Sequence, residues 1–146
     1  MMVRWTLIHS FGNALATGDN RGNIAFWNQD GTLGNMIQAH DQAVQALDWS
    51  RDGSLLVSTG GSDGTAKVWS RHGQLLKVLH GHEGYLDAAI FNPDQFNILT
   101  AGKDKTLKVW NMAAPFQRAR KDFSSHITAL AWRENQLFYG SWDGGF

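Results

Sequence analysis

The chain of 146 residues has no cysteine, which excludes disulfide bridges and thiolate metal ligands. A reducing compartment suits such a sequence, and the expectation is an intracellular, cytoplasmic protein. Only two prolines occur, too few for an extended proline-rich linker. Neither sign of charge is in excess: thirteen Lys and Arg stand against thirteen Asp and Glu. No whole-chain field therefore draws the protein to nucleic acid or to a membrane surface. No apolar run approaches the ~20 residues of a membrane-spanning helix. Met1 to Ser10 has neither the apolar core nor the small-residue cleavage site of a secretion signal. What remains is a globular composition, 42% hydrophobic and containing sixteen glycines.

The chain repeats itself. Asn23-Ile24-Ala25-Phe26-Trp27, Thr65-Ala66-Lys67-Val68-Trp69 and Thr106-Leu107-Lys108-Val109-Trp110 superimpose, with their tryptophans 42 and 41 residues apart. A second set, Val44 to Trp49, Leu86 to Phe91 and Ile127 to Trp132, keeps the same 42 and 41. Two independent sets with one period indicate a repeat architecture.

Within each period, short apolar-alternating runs are separated by turn residues, the signature of strands rather than helices. For the repeat from His40, the strands are Val44 to Trp49, Leu55 to Thr59, Thr65 to Trp69 and Gln74 to Leu79. The turns between them are Ser50-Arg51-Asp52-Gly53, Gly61-Ser62-Asp63-Gly64 and Arg71-His72-Gly73. Each repeat is thus one four-stranded antiparallel meander, and the whole chain holds fourteen strands. The stretch Ala113 to Asp122, interrupted by Pro115, reads as a loop entering a fourth strand.

Gly81-His82, Asn92-Pro93-Asp94, Thr100-Ala101-Gly102-Lys103-Asp104 and Val109-Trp110-Asn111 together resemble the WD40 repeat. Ala39-His40, Ser50 to Gly53, Thr59 to Gly64 and Val68-Trp69-Ser70 are similar to it. The resemblance covers nearly the whole chain and weakens at both ends. The closing Trp-Asp of the family stands here as Trp27-Asn28, Trp69-Ser70 and Trp110-Asn111. The fold it implies is all-β, a partial β-propeller of about 3.5 four-stranded blades. Their approximate bounds are 1–38, 39–80, 81–122 and an incomplete 123–146.

The resemblance also implies a side-chain relay in each blade, carboxylate to imidazole to hydroxyl to indole. Carried onto this chain, the two sets are His40, Thr59, Asp63, Trp69 and His82, Thr100, Asp104, Trp110. These residues are read as structural: a buried indole or imidazole left unpaired costs roughly 1–3 kcal/mol. In the first repeat Thr17 and Trp27 keep the spacing, but Arg21 takes the Asp position and Asp19 lies two residues earlier. In the last, Phe123 takes the His position, Tyr139 the Thr position, and Asp143 fits.

A propeller ring closes on itself with about four to eight blades. The chain is therefore expected to be part of a longer propeller protein, to close a ring by assembling with other copies, or to be completed by a partner. Ending at Phe146, before a third strand, favours the first.

No nucleophile stands beside a base with a separate oxyanion site, so no enzyme activity is expected. The implied function is a non-catalytic protein–protein interaction scaffold that needs no cofactor. In the family, partners dock on the rim made by the turns before strand one and between strands two and three. Those positions are Ala43, Gln45 and Ser62, then Tyr85, Asp87 and Lys103, then His126, Thr128 and Trp142. Tyr85, Asp87, Lys103, His126 and Trp142 are the partner-binding candidates, and the aromatic members offer the largest contact area. The alternatives are a targeting arm for a catalytic domain outside this stretch, and a nucleic-acid binder. The latter would use the basic third repeat, Lys103, Lys105, Lys108, Arg118, Arg120 and Lys121; a solvated blade edge accounts for these charges more simply. A metal site at His72, His80 and His82 lacks a fourth ligand at matching spacing, and none is expected.

Overall fold

The computed structural model describes residues 5–11, 13–94, 97–113 and 117–143. Four strands, β1 (Trp5–Phe11), β2 (Ala14–Asp19), β3 (Asn23–Trp27) and β4 (Leu33–Gln38), pair in that order as one antiparallel meander. The second meander is β5 (Val44–Trp49), β6 (Leu55–Gly60), β7 (Ala66–Ser70) and β8 (Leu75–Leu79). The third is β9 (Leu86–Phe91), β10 (Asn97–Gly102), β11 (Thr106–Asn111) and β12 (Gln117–Asp122). A hairpin of β13 (Ile127–Arg133) and β14 (Gln136–Ser141) follows. The first strands β1, β5, β9 and β13 lie against one another in sequence. The sheets therefore radiate from a shared inner row of strands, the partial propeller that the repeats imply.

Observed strands shift by one residue from the sequence reading: β7 starts at Ala66 instead of Thr65, and β6 runs on to Gly60. The fourth strand after Ala113 is β12, while Pro115 and Phe146 lie outside the described residues. Among the described residues no helix is long and apolar enough to cross a membrane.

Burial explains why the middle strands read as unbroken apolar runs. Successive side chains of a strand point to opposite faces. In β6, Leu56 packs with Phe26, Val44 and Trp49 between the first two sheets, whereas Val57 packs with Leu86, Phe91 and Ile98 between the second and third. In β10, Ile98 faces backward into that second layer and Leu99 forward onto Leu107 and Ile127. Both faces of each sheet are covered, so each sheet holds its neighbours in place. Each fully buried aliphatic side chain adds about 1.5–3 kcal/mol. Trp69 and Trp110 belong to the first and second layers, each turned toward the preceding sheet.

The connecting turns are held by local carboxylates. Asp52 accepts hydrogen bonds from the Ser54 amide and from the hydroxyls of Ser50 and Ser54. The Ser50 hydroxyl contributes most, and together these bonds pull its pKa down to about 2.

Candidate partner-binding site

The third sheet brings four predicted residues together. The Trp110 indole N–H donates to Thr100 Oγ1 at 2.7 Å, Thr100 Oγ1 lies 2.7 Å from His82 Nε2, and His82 Nδ1 lies 2.8 Å from Asp104 Oδ2. An ionised carboxylate only accepts, so Nδ1 carries the ring proton and Nε2 accepts from the hydroxyl. Every donor in the chain then has one acceptor. Burial lowers the His82 pKa despite the neighbouring Asp104, which keeps the ring neutral. Burial alone would raise Asp104, but bonds from Thr106, His82 and the Glu83 amide leave its carboxyl below the usual range.

The second sheet builds the same relay, with one correction. Ser58, not Thr59, accepts from the Trp69 indole at 2.8 Å and meets His40 Nε2 at 2.8 Å, while His40 Nδ1 reaches Asp63 at 3.0 Å. The strand register gives the reason. Leu56 pairs with Trp69 and Ser58 with Lys67, as Ile98 pairs with Trp110 and Thr100 with Lys108. The β6–β7 turn holds one residue more than the β10–β11 turn, so counting back from the tryptophan lands one place too late. A shift of one residue puts a side chain on the opposite face. Thr59 is accordingly buried, its hydroxyl without a hydrogen-bond partner among the described residues. The signal was present: His40 to Ser58 and His82 to Thr100 are both 18 residues.

In the first sheet Trp27 donates to Thr17 at 2.9 Å. Asp19, fully buried, accepts from the amides of Arg21 and Asn23 and from the Asn23 side chain, each at 2.8 Å. It holds this turn from its displaced position. In the last sheet the Phe123 and Tyr139 rings meet at 4.8 Å, an aromatic contact where the other sheets pair imidazole with hydroxyl.

Hydroxyl, imidazole and carboxylate in this order also make up a nucleophilic triad. Here Thr100 and Ser58 are completely buried and their oxygens are occupied by indole N–H groups. Both hydroxyls are closed off from solvent, and the relays tie together the strands of the second and third sheets.

The amide following each second strand donates to the carbonyl preceding each first strand: Gly61 to Ala43, Lys103 to Tyr85, Trp142 to His126. The two residues joined by each bond are thereby held side by side at the rim. Lys103 Nζ lies 5.5 Å from the centre of the Tyr85 ring, and the Trp142 and His126 rings stack at 5.1 Å. Tyr85 rests over Gly61 of the second sheet, where an added Cβ would come within 3.0 Å of the ring. Asp87 Oδ2 lies 3.7 Å from His126 Nε2 on the far side. The five candidate residues thus form one patch across the third and last sheets, with Gly61 of the second sheet beneath Tyr85. Trp142 is 76% exposed and Tyr85 41%. Burial raises the Asp87 pKa, opposed by the charges of His126 and Lys103. Thr128 lies beside this patch and bonds the Gly140 carbonyl. Gln45 and Ser62 are exposed on the second sheet.

Of the basic residues of the third repeat, Lys108 and Arg120 are cross-strand neighbours on β11 and β12, beside Glu83 and Asp104, whereas Lys103 and Lys121 lie over Tyr85 and Phe123. Lys108 is buried and donates to the Gly81 carbonyl, and Arg120 pairs with Asp122 at 2.7 Å. The Arg118 side chain lies outside the described residues. His82 is committed to its relay, and among the described residues no three His, Asp or Glu side chains group as metal ligands.

Comparison with known proteins agrees with this geometry. The family model "WD domain, G-beta repeat" matches residues 31–70 and 73–111. Human "WD repeat and SOCS box-containing protein 1" is 35% identical over 101 residues, 67% of this chain and 24% of its own length. Mouse "F-box-like/WD repeat-containing protein TBL1X" is 32% identical over 142 residues, 85% of this chain and 26% of its own length. The chain spans about a quarter of the curated relatives it matches. The crystal structure of a computationally designed protein, Ika8, superimposes with a TM-score of 0.82 at 28% identity, covering 94% of this chain and 42% of that one. A chain in the crystal structure of the mitotic checkpoint complex gives 0.80 at 20% identity, covering 95% and 45%; it shares the fold.

Proposed function

Because the chain belongs to the WD40 repeat family, we propose that it is a non-catalytic protein–protein interaction scaffold whose partner docks on the rim patch of Tyr85, Asp87, Lys103, His126 and Trp142. The observation that carries this reading is the convergence of two exposed aromatic rings with an acid and two basic side chains at one end of two adjacent sheets. Aromatic anchors bordered by charge are the usual composition of an interface centre. The relay hydroxyls of Ser58 and Thr100 are buried and occupied by indole N–H groups, which supports a role without turnover.

The partner is a protein or peptide rather than nucleic acid, since Lys108 is buried, Arg120 is paired with Asp122, and Glu83 and Asp104 lie beside them. On this reading the segment belongs to a longer propeller protein, or its ring is closed by further copies or by a partner. A second reading has an observation of its own. The curated relatives are about four times as long as the matched stretch, and their names pair WD repeats with a SOCS box or an F-box-like domain. On that reading this segment is the targeting arm of a protein whose other domain acts on what the propeller captures.

The test is affinity capture with the full-length protein, comparing wild type with Trp142→Ala and Tyr85→Ala. Loss of the same captured protein from both variants, with unchanged unfolding midpoints, supports the rim. Retention of every partner in both variants removes it.

A further inference from the structure

The β1–β2, β3–β4, β5–β6 and β7–β8 turns lie at the end of the sheets opposite the rim patch. Between the first and second sheets, the β1–β2, β3–β4 and β7–β8 turns and the end of β5 border an open cavity of about 500 Å³. Its floor is aromatic, formed by Phe26, Trp27 and Trp49, with the Phe26 and Trp49 rings edge to face at 6.2 Å. Its walls are joined by two hydrogen bonds between the sheets. Arg71 Nη2 donates to Asn13 Oδ1 at 2.8 Å, and Asn35 Nδ2 donates to the His72 carbonyl at 3.0 Å. The space is therefore preformed and within the size range of ligand sites.

Its charge is one-sided. No Asp or Glu is among the lining residues, and Arg71 supplies a full positive charge at the mouth. One guanidinium N–H is used by Asn13, and the planar fork has further donors for a carboxylate. Asn35 already gives one Nδ2 hydrogen to the His72 carbonyl and accepts the Met36 amide, and Asn28 Nδ2 donates to Thr32, so the second N–H of each side-chain amide is what a peptide C=O can use. We propose that this cavity binds a short peptide segment carrying an apolar side chain directly beside a carboxylate side chain. The apolar group lies on the aromatic floor, the carboxylate pairs with Arg71, and the asparagines hold the peptide backbone. A basic segment is rejected by Arg71, and a neutral one leaves the guanidinium partly desolvated without a counter-charge. The site is separate from the rim patch and does not depend on it.

The probes are acetyl-Glu-Phe-amide and acetyl-Gln-Phe-amide, titrated into the isotope-labelled protein while the indole N–H signals are followed. The expected result is saturable movement of the Trp27 and Trp49 signals, with Trp110 and Trp142 unmoved. The Glu peptide should bind about 10-fold more tightly than the Gln peptide, as for a charge-assisted pair. Arg71→Gln should bring that preference to within about 2-fold, and Arg71→Lys should keep part of it as a point charge. An unshifted Trp110 signal in each variant shows that the sheets are intact; should Arg71→Gln lose it, Arg71→Lys carries the comparison. No saturation at about 10 mM peptide, movement centred on Trp142, or equal discrimination in wild type and the Arg71 variants would overturn the proposal.

Discussion

The Trp69 indole donates to Ser58 at 2.8 Å, while the hydroxyl of the adjacent Thr59, equally buried, has no hydrogen-bond partner among the described residues. Two neighbouring hydroxyls therefore have opposite worth. Ser58→Ala strips an acceptor from Trp69 and a partner from His40 at once, and an unpaired buried polar group costs about 1–3 kcal/mol. Thr59→Val keeps the volume and removes a hydroxyl that gains nothing, so it is expected to be neutral or stabilising by up to about 1 kcal/mol. Urea unfolding of the two variants decides it; equal losses would refute the assignment of Ser58 to the relay.

The same pair shows how far the sequence could be read. The tryptophan period, the fourteen strands and the sheet order were legible because short apolar runs bounded by turn residues recur at one spacing, a pattern too short and too often interrupted for helices. The third-sheet relay was legible too, because its turn has the length on which counting from Trp110 depends. In the second sheet Gly60 and Gly61 lengthen that turn, and with hydroxyls at both Ser58 and Thr59 residue type does not discriminate; only the strand register does. The rim patch was readable as a set of positions. The stacking of His126 on Trp142 and the approach of His126 to Asp87 depend on how sheets lie beside one another, which no spacing within one repeat encodes. The cavity beneath Arg71 was unread for the same reason: Asn13 and Arg71 are 58 residues apart.

Acidification should destabilise the protein in two stages. His40 and His82 are held below the ordinary value of 6.5, by burial first of all. In the unfolded chain the same rings take up protons near 6.5, so the unfolded state binds more protons as pH falls through that value. Stability therefore falls from about 6.5 downward and levels off once the folded rings are also protonated. Asp63 and Asp104 are lowered from 3.8, so their contribution is present above that value and is lost as pH falls through it. Calorimetry from about pH 8 to about pH 3 should show a falling Tm in both windows. A flat Tm between about pH 7 and pH 5 would show that the imidazoles are not buried as neutral rings.

Two glycines with the same backbone sign separate strain from crowding. Gly22 has φ +85° and Gly31 φ +83°. A Cβ at Gly31 meets no atom within 4 Å, whereas at Gly22 it would lie 1.9 Å from the His40 carbonyl oxygen. Gly31→Ala should cost only the left-handed backbone penalty, about 1–2 kcal/mol. Gly22→Ala should cost that and more, because the Gly22 carbonyl also accepts the amides of Ala39 and His40 and the two segments cannot part without losing these bonds. Thermal unfolding of both variants tests this, and similar midpoints would count against the close approach.

Coupling between sheets should be measurable at one contact. Asp48 on β5 accepts the backbone N–H of Phe91 on β9 at 2.8 Å, joining the inner strands of the second and third sheets. Stacked repeats are stable through nearest-neighbour interfaces, and weakening one interface loosens the concert between units. Asp48→Ala leaves the Phe91 amide without its acceptor and is expected to cost about 1–3 kcal/mol. Asp48→Asn retains a carbonyl oxygen at the same reach and should recover much of that loss. If the contact transmits order between sheets, Asp48→Ala should also lower the urea m-value or split the unfolding transition, while Asp48→Asn keeps a single one. Identical curves for the two variants would mean that the apolar layer of Val57, Leu86 and Ile98 alone holds these sheets together.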